Sequence, residues 1–458
     1  ALAGTAGRPA GPLTLASADT LTATTLTASG SNGNGADQPG GAGGTLSITS
    51  TGGHVRVGTI SAIGGHALAG NANGGNGGSV SLDAGGATPT ITHQTVTTTG
   101  GNRIGSGTAG TGGDISVADA SLLSAATTIA AGGGSAGAGT GGHVTFGNTV
   151  DSSGSNRTLA VNTNGITTFT GAVGETFALT SLATDAPGSV RVGGNVSTTG
   201  VQTYNDPLTL LAHSTMTGTT PTFGSTLTGG GFDLTLNFSG TTVINGAAFT
   251  GINQFVSGNG GTTSLTGAFS TTGAQTFGDA VTLAGNTTLT SSGNHAITFN
   301  STVNGARALA VNTTGTTTFG GSVGTTTALT SLTTDPGGTT ALNGGAVTTS
   351  GNQTYNDAVT MNQLTTATST GGAITFAEHA TNTLAGAGLT VDAPTLSLTS
   401  GKTVATTGNG PIRFLTNSFN PNGANIDAGT GAFTLSPTTL TNTIEFGDVN
   451  TARVTTVY

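Results

Sequence analysis

The sequence predicts an all-β chain wound as a β-solenoid, a stack of near-identical coils, and three observations carry that reading. Positions 159–185 read LAVNTNGITTFTGAVGETFALTSLATD, and positions 309–335 read LAVNTTGTTTFGGSVGTTTALTSLTTD, the same text shifted by 150 residues. The echo continues past one inserted residue, where VQTYND at 201–206 returns as NQTYND at 352–357. A second, coarser repeat places a double glycine before a short alternating run at 43–48, 77–82, 112–117 and 141–146, in steps of 34, 35 and 29 residues. Chains written in this way stack coil on coil rather than close around one core. Thirdly, 34% of the residues are apolar and only 6% charged. Polarity comes mostly from Thr, Ser, Asn and Gly, residues of strands and tight turns.

The elements follow in order. Residues 1–145 are predicted to be coils with long Gly-rich loops, 146–381 coils of about 20 residues containing the long repeat, and 382–458 further coils. In the first part the pairs Leu46/Ile48, Val80/Leu82, Ile115/Val117 and Val144/Phe146 alternate with Ser47, Ser81, Ser116 and Thr145. Side chains two apart share a face, so the apolar pairs are expected inside and the hydroxyls in water. The Gly-rich stretches 30–44, 64–78, 100–113 and 132–142 are expected to protrude on one side, outside the strand ladder. In the second part Thr precedes an aromatic residue at Phe146, Phe169, Tyr204, Phe223, Phe277, Phe299, Phe319, Tyr355 and Phe376. Apolar neighbours two residues away place these rings in an internal stack. The last part ends in the run 453–458, an uncapped β pattern that calls for further coils or a covering subunit.

Composition also excludes functions. The net charge is −9, and the eight arginines and single lysine, Lys402, form no basic stripe for a nucleic acid. There is no cysteine for a disulfide or a thiolate metal site. No apolar run approaches the length of a spanning helix.

The coils near 20 residues, the TLAVNT-like and QTYNDAVT-like text at 158–163 and 353–360, the GGxxxLxI-style coils and the absence of cysteine resemble large secreted proteins of the filamentous haemagglutinin type. These are two-partner secretion exoproteins and related autotransporter passengers. The resemblance covers about residues 13–446. It implies a right-handed parallel β-helix, passage through an outer-membrane transporter, and a place on the surface of a Gram-negative bacterium. It also implies contact with a glycan or protein of a host or neighbouring cell, with self-association into a filament or sheath as the alternative.

Chemistry is sought on the same residues, because β-helices also carry polysaccharide-degrading enzymes. Such enzymes need two carboxylates across a sugar bond, or an acidic cluster for calcium. Asp206, Asp279 and Asp357 share one position of Q-T-[YF]-[NG]-D and read as turn residues, as do Asp185 and Asp335. His54, His66, His93, His143, His213, His295 and His379 fall on no ligand spacing and read as solvated surface positions. Gly401-Lys402-Thr403 lacks the upstream glycine of a phosphate loop and reads as a turn. The two Gly-x-Ser-x-Gly spellings, 133–137 and 320–324, lack a following helix. The expectation is a non-enzymatic adhesin or stalk with no catalytic, cofactor-binding or metal-ligating residue and no cofactor.

Overall fold

The computed structural model describes residues 6–136, 139–438 and the strand Glu445–Phe446; the expected strand at 453–458 lies outside these. The chain is all-β and forms two compact units, Ala1–Phe232 and Asp233–Tyr458, each a β-solenoid of parallel strands.

In the first unit one ladder carries Leu13, Leu46, Val80, Ile115, Val144, Thr167, Val190, Leu208 and Leu227 side by side. Two residues on, Leu15, Ile48, Leu82, Val117, Phe146, Phe169, Val192 and Leu210 make the neighbouring column. Ile48, Leu82, Val117 and Phe146 are fully buried, while Ser47, Ser81, Ser116 and Thr145 face outward. The predicted register therefore holds, and a slip of one residue would have exchanged the two sets. A second ladder across the coil aligns Ile60, Val96, Ile129, Val161, Thr184, Tyr204 and Phe223.

The second unit repeats the scheme. Phe255, Gln275, Ile297, Thr317, Thr340, Val359, Ala380 and Val404 occupy one inward column. Beside it Phe277, Phe299 and Phe319 stack with centroids 5.1 Å apart at each step. Tyr355 and Phe376 stack at 5.3 Å, and in the first unit Phe146 and Phe169 at 5.2 Å. All seven of these rings, Phe169, Phe299, Phe319 and Tyr355 among them, are at most 1% exposed, so they stack internally. Identical coil spacing forces like rings into parallel stacks, near the offset geometry that aromatic pairs prefer.

The Gly-rich stretches correct the sequence reading. They do extend from the strand coils, but they are not loops outside the hydrogen-bond ladder. Each goes out and returns as two extended arms, and the arms of successive coils are bonded into a lattice. One continuous zigzag runs from Ser31 N–H to Arg8 O, Gly41 to Ser31, Gly65 to Gly41, Gly75 to Gly65, Gly101 to Gly75, Gly110 to Gly101 and Gly134 to Gly110, with every N···O distance between 2.8 and 3.0 Å. A residue earlier, Gly74 N–H bonds Thr108 O at 2.9 Å, and three residues on Gly77 bonds Thr111 O at 2.8 Å. The remaining direction is served by side chains, since Asn73 Oδ1 and Asn76 Oδ1 accept from the N–H groups of Thr108 and Thr111 at 2.8 and 3.0 Å. Successive residues thus bond in three directions with a period of three, as a polyproline-II-like helix does when its unpaired amides find partners.

Glycine is required here by proximity, not by φ. Positive φ values occur at the tips, Gly35, Asp37, Gly70 and Gly105, whereas the arm glycines 65, 75 and 101 are not among them. A Cβ on Gly75 would lie 2.0 Å from Gly41 O, and one on Gly101 would lie 1.9 Å from Gly65 O. We therefore expect Gly75→Ala to destabilise the first unit by about 2–3 kcal/mol through overpacking against backbone. Gly11→Ala, whose Cβ meets nothing within 4 Å, should stay within about 0.5 kcal/mol of wild type. Thermal melts of the two variants test this, and equal behaviour would show that the lattice tolerates side chains.

Candidate functional site

Three groups of polar residues could carry chemistry: the side chains at coil corners, the recurrent buried carboxylates, and the internal glutamines and histidine. Their positions follow from one local fact. Where the chain turns between strands, an N–H often has no carbonyl above or below it, and a short polar side chain of the neighbouring coil takes its place. Asn32 accepts from His66 N–H at 2.8 Å, and His66 Nδ1 accepts from Asn102 N–H at 2.8 Å. Asn102 Oδ1 in turn accepts from Ser135 N–H at 2.8 Å. The same device joins Asp114 to His143 at 2.7 Å and His143 Nδ1 to Ile166 at 3.0 Å. In the second unit it joins His379 Nδ1 to Thr403 at 3.1 Å and Asn352 to Ala373 at 2.9 Å.

His143, His213, His295 and His379 are exposed, as solvated surface positions would be, and the ring nitrogens of some histidines also hold the next coil. His66, His143 and His379 accept a main-chain proton at Nδ1, so the imidazole proton belongs on Nε2. His54 Nδ1 lies 2.8 Å from Thr90 Oγ1, and His213 packs edge-on against Phe232 at 5.6 Å. His295 lies in the same coil geometry, its carbonyl accepting from Thr313 Oγ1 at 2.7 Å. His93 departs furthest, being fully buried beside Phe146, with ring centroids 6.3 Å apart. Its Nδ1 lies 3.0 Å from Gln94 O and its Nε2 2.6 Å from Ser121 Oγ. A carbonyl partner makes Nδ1 the donor, so Ser121 donates to Nε2. Burial lowers the His93 pKa from its ordinary value of 6.5, with the Gln94 carbonyl opposing. This Ser–His contact has the hydrogen-bond pattern of a nucleophile and its base, but both side chains are completely enclosed.

The carboxylates behave as turn residues, in a form the sequence did not disclose. Asp185 Oδ1 accepts from Thr163 N–H at 2.8 Å, and its repeat counterpart Asp335 from Thr313 N–H at 2.7 Å. Asp279 accepts from Gly260 N–H at 2.9 Å, and Asp357 from Gly338 N–H at 2.8 Å and Thr340 Oγ1 at 3.2 Å. Each bond reaches an adjacent coil, so these residues staple coils rather than close their own turns. Asp151 does the same for Thr176 and Phe177, both at 3.0 Å, where Asn304 serves Thr326 and Thr327 in the second unit. An amide replacing a carboxylate at equivalent work indicates hydrogen-bond acceptance rather than acid–base chemistry there. Among the described residues no three His, Asp or Glu side chains converge on a possible metal ion.

The Q-T-[YF] motif holds a buried network that sequence reasoning passed over. Gln202 Nε2 donates to Val196 O and Thr217 O at 3.2 and 2.9 Å, while Tyr204 OH donates to Gln202 Oε1 at 3.0 Å. Gln353 and Tyr355 reproduce this, with Thr368 O at 2.7 Å and the phenol again at 3.0 Å. Burial pushes both phenols upward in pKa. In the third copy Phe277 replaces the tyrosine, and Gln275 Oε1 is left buried without a partner. The signal in sequence was the glutamine two residues before each ring.

The remaining motifs are turns. Gly401 has φ +73°, Lys402 Nζ pairs with Glu378 Oε2 at 2.6 Å, and the strand Thr403–Thr406 follows rather than a helix. Ser322 exchanges a hydrogen bond with Thr325 Oγ1 at 2.9 Å, and position 137 of the other Gly-x-Ser-x-Gly lies outside the described residues. Among the described residues no helix is long and apolar enough to cross a membrane. No family model, curated protein or solved structure matches this chain.

Two outcomes follow from these networks. Phe277→Tyr should supply the missing donor to Gln275 and raise stability by about 1 kcal/mol, measured by denaturant unfolding; a loss would mean that the ring stack cannot accept the hydroxyl. Because the folded state holds His93 neutral, protons bind the unfolded chain preferentially below about pH 6.5. The His93 contribution to stability should therefore be full above that pH and decline as the pH falls, a component that His93→Gln removes.

Proposed function

We propose that this chain is a rigid, non-enzymatic β-solenoid that is secreted and displayed on the surface of a Gram-negative bacterium as an adhesin or stalk of the filamentous haemagglutinin type. The observation that carries this reading is the commitment of polar side chains. Recurrent carboxylates, corner asparagines and three histidines are occupied in holding coil to coil. A stack built so uniformly is suited to presenting side chains at fixed spacing. Its contact partner would be a glycan or protein of a host or neighbouring cell, and an outer-membrane transporter would carry it out. The repeat style of the sequence supports that route.

A second reading is favoured by a specific surface. Leu364 and Leu384 are 62% and 49% exposed on neighbouring coils, whose corners are tied by Asn382 Nδ2 to Gln363 O at 2.6 Å. With only 6% charged residues there is little repulsion between copies, so self-association into a filament or sheath is the alternative role.

The purified chain should bind cells or immobilised glycans saturably and release no reducing ends from a polysaccharide panel. Release of reducing ends would overturn the non-enzymatic reading. Regular polymers under negative stain, lost in Leu364→Ser/Leu384→Ser, would replace the adhesin by the filament.

A further inference from the structure

We propose that Arg56 marks a binding groove for the carboxylate of an acidic glycan, a uronate-containing chain lying along the coil axis. The inference rests on the reading of this chain as a surface protein that contacts glycans, and it names the class of sugar. The groove arises from a bend in the sheet. The strand Val55–Ser61 is continuous, whereas the next coil meets it with two short strands, Thr90–His93 and Val96–Thr97. Between these two, Gln94 N–H reaches Gly58 O at 3.3 Å, and on the following coil Ser124 N–H reaches His93 O at 3.4 Å, both long for ladder bonds. A Cβ on Gly58 would lie 2.0 Å from Thr24 O, so the bend leaves no room there for a side chain. Thr22, Thr24, Arg56, Thr92, Gln94 and Ser124 line the resulting hollow of about 350 Å³, within the range of small-ligand sites.

The charge and the hydroxyls of this hollow select the ligand. Arg56 stands exposed between Thr22 and Thr92, its neighbours on the two adjoining coils. Among the described residues its guanidinium makes no hydrogen bond or ion pair, whereas that of Arg307 donates to Ala284 O and Ala306 O at 3.2 and 3.1 Å. An unengaged guanidinium presents a planar fork that matches a carboxylate with two parallel bonds. The lining residues belong to four successive coils, so at the spacing of adjacent strands the groove runs along the axis for about 14 Å. That length suits an extended polymer rather than a free anion. An acidic peptide would seek main-chain partners along an open strand edge, but the strand that carries Arg56 is paired on both sides. Sugar hydroxyls instead meet the hydroxyls of Thr22, Thr24, Thr92 and Ser124 and the amide of Gln94.

Calorimetric titration of the purified chain with oligogalacturonate, its methyl ester, dextran sulfate and polyglutamate tests this. The free acid is expected to bind saturably and to weaken as salt is raised, because the groove is open to solvent. Arg56→Gln should lower its affinity about tenfold or more. Arg191→Gln, at an exposed position of the strand Ser189–Val192 in the same unit, should bind like wild type. Melting curves of both variants should overlay that of the wild type, since neither side chain is buried. Chemical-shift changes on titrating the wild-type chain give a reading that needs no variant: they are expected at the Arg56 guanidinium and the Gln94 amide, and changes confined to other residues would overturn the site. Absence of binding, equal binding of the methyl ester, dextran sulfate or polyglutamate, or an equal loss in Arg191→Gln would each overturn the proposal. Saturable binding to cells alongside any of those results would leave the adhesin reading standing and remove only this ligand.

Discussion

Everything in this molecule depends on the hydrogen bond from a main-chain N–H to an acceptor one coil away. In a parallel stack the strands have no partner within their own coil, so each amide must find its acceptor above or below. An unpaired amide costs as much as a lost hydrogen bond, so the accounting is severe at places where the chain bends away from its neighbour. The protein meets the requirement in three ways. Strands pair residue to residue, as Leu46 with Val80 and Phe299 with Phe319. Corners substitute a side-chain oxygen or an imidazole nitrogen for the missing carbonyl. The glycine arms replace the ladder by a lattice with three bonding directions.

These three solutions explain the composition. Strand interiors need Val, Leu, Ile and Phe at alternate positions, corners need short acceptors, and the arms need residues without a Cβ. Charged side chains fit none of these roles well, because a buried charge costs several kcal/mol unless compensated. Where an aspartate does serve at a corner, it works through the main-chain N–H its carboxylate accepts. Asp357 and Asp279 each accept a glycine N–H of the neighbouring coil, whereas Asp206 Oδ1 at the same repeat position takes no such bond, although the three lie in almost the same text.

The internal rows show the same economy and one defect. Stacked rings and aliphatic columns fill each coil, and Gln202 and Gln353 bridge the ladders while tyrosine completes their bonding. Phe277 keeps the ring and loses the hydroxyl, so that Gln275 Oε1 is orphaned. Repeats drift in this way because a neighbouring coil supplies most of the packing and tolerates the loss of one bond.

The sequence by itself determined the all-β class, the coil register and the inward rows, because a period of two along each strand admits one choice of buried face. Ile48, Leu82, Val117 and Phe146 were legible for that reason, and so was the internal placement of Phe169, Phe299 and Phe319. The glycine stretches were legible as recurrent but not as a lattice, since their bonds alternate between the two arms of one coil and the arms of successive coils, and no local pattern names the partner. Burial of His93, the acceptor role of His66, His143 and His379, and the divergence of Asp206 from Asp357 were decided only by tertiary structure. Each depends on which atom of the adjacent coil stands within 3 Å or so, and the spacing of letters along one strand carries no information about that neighbour.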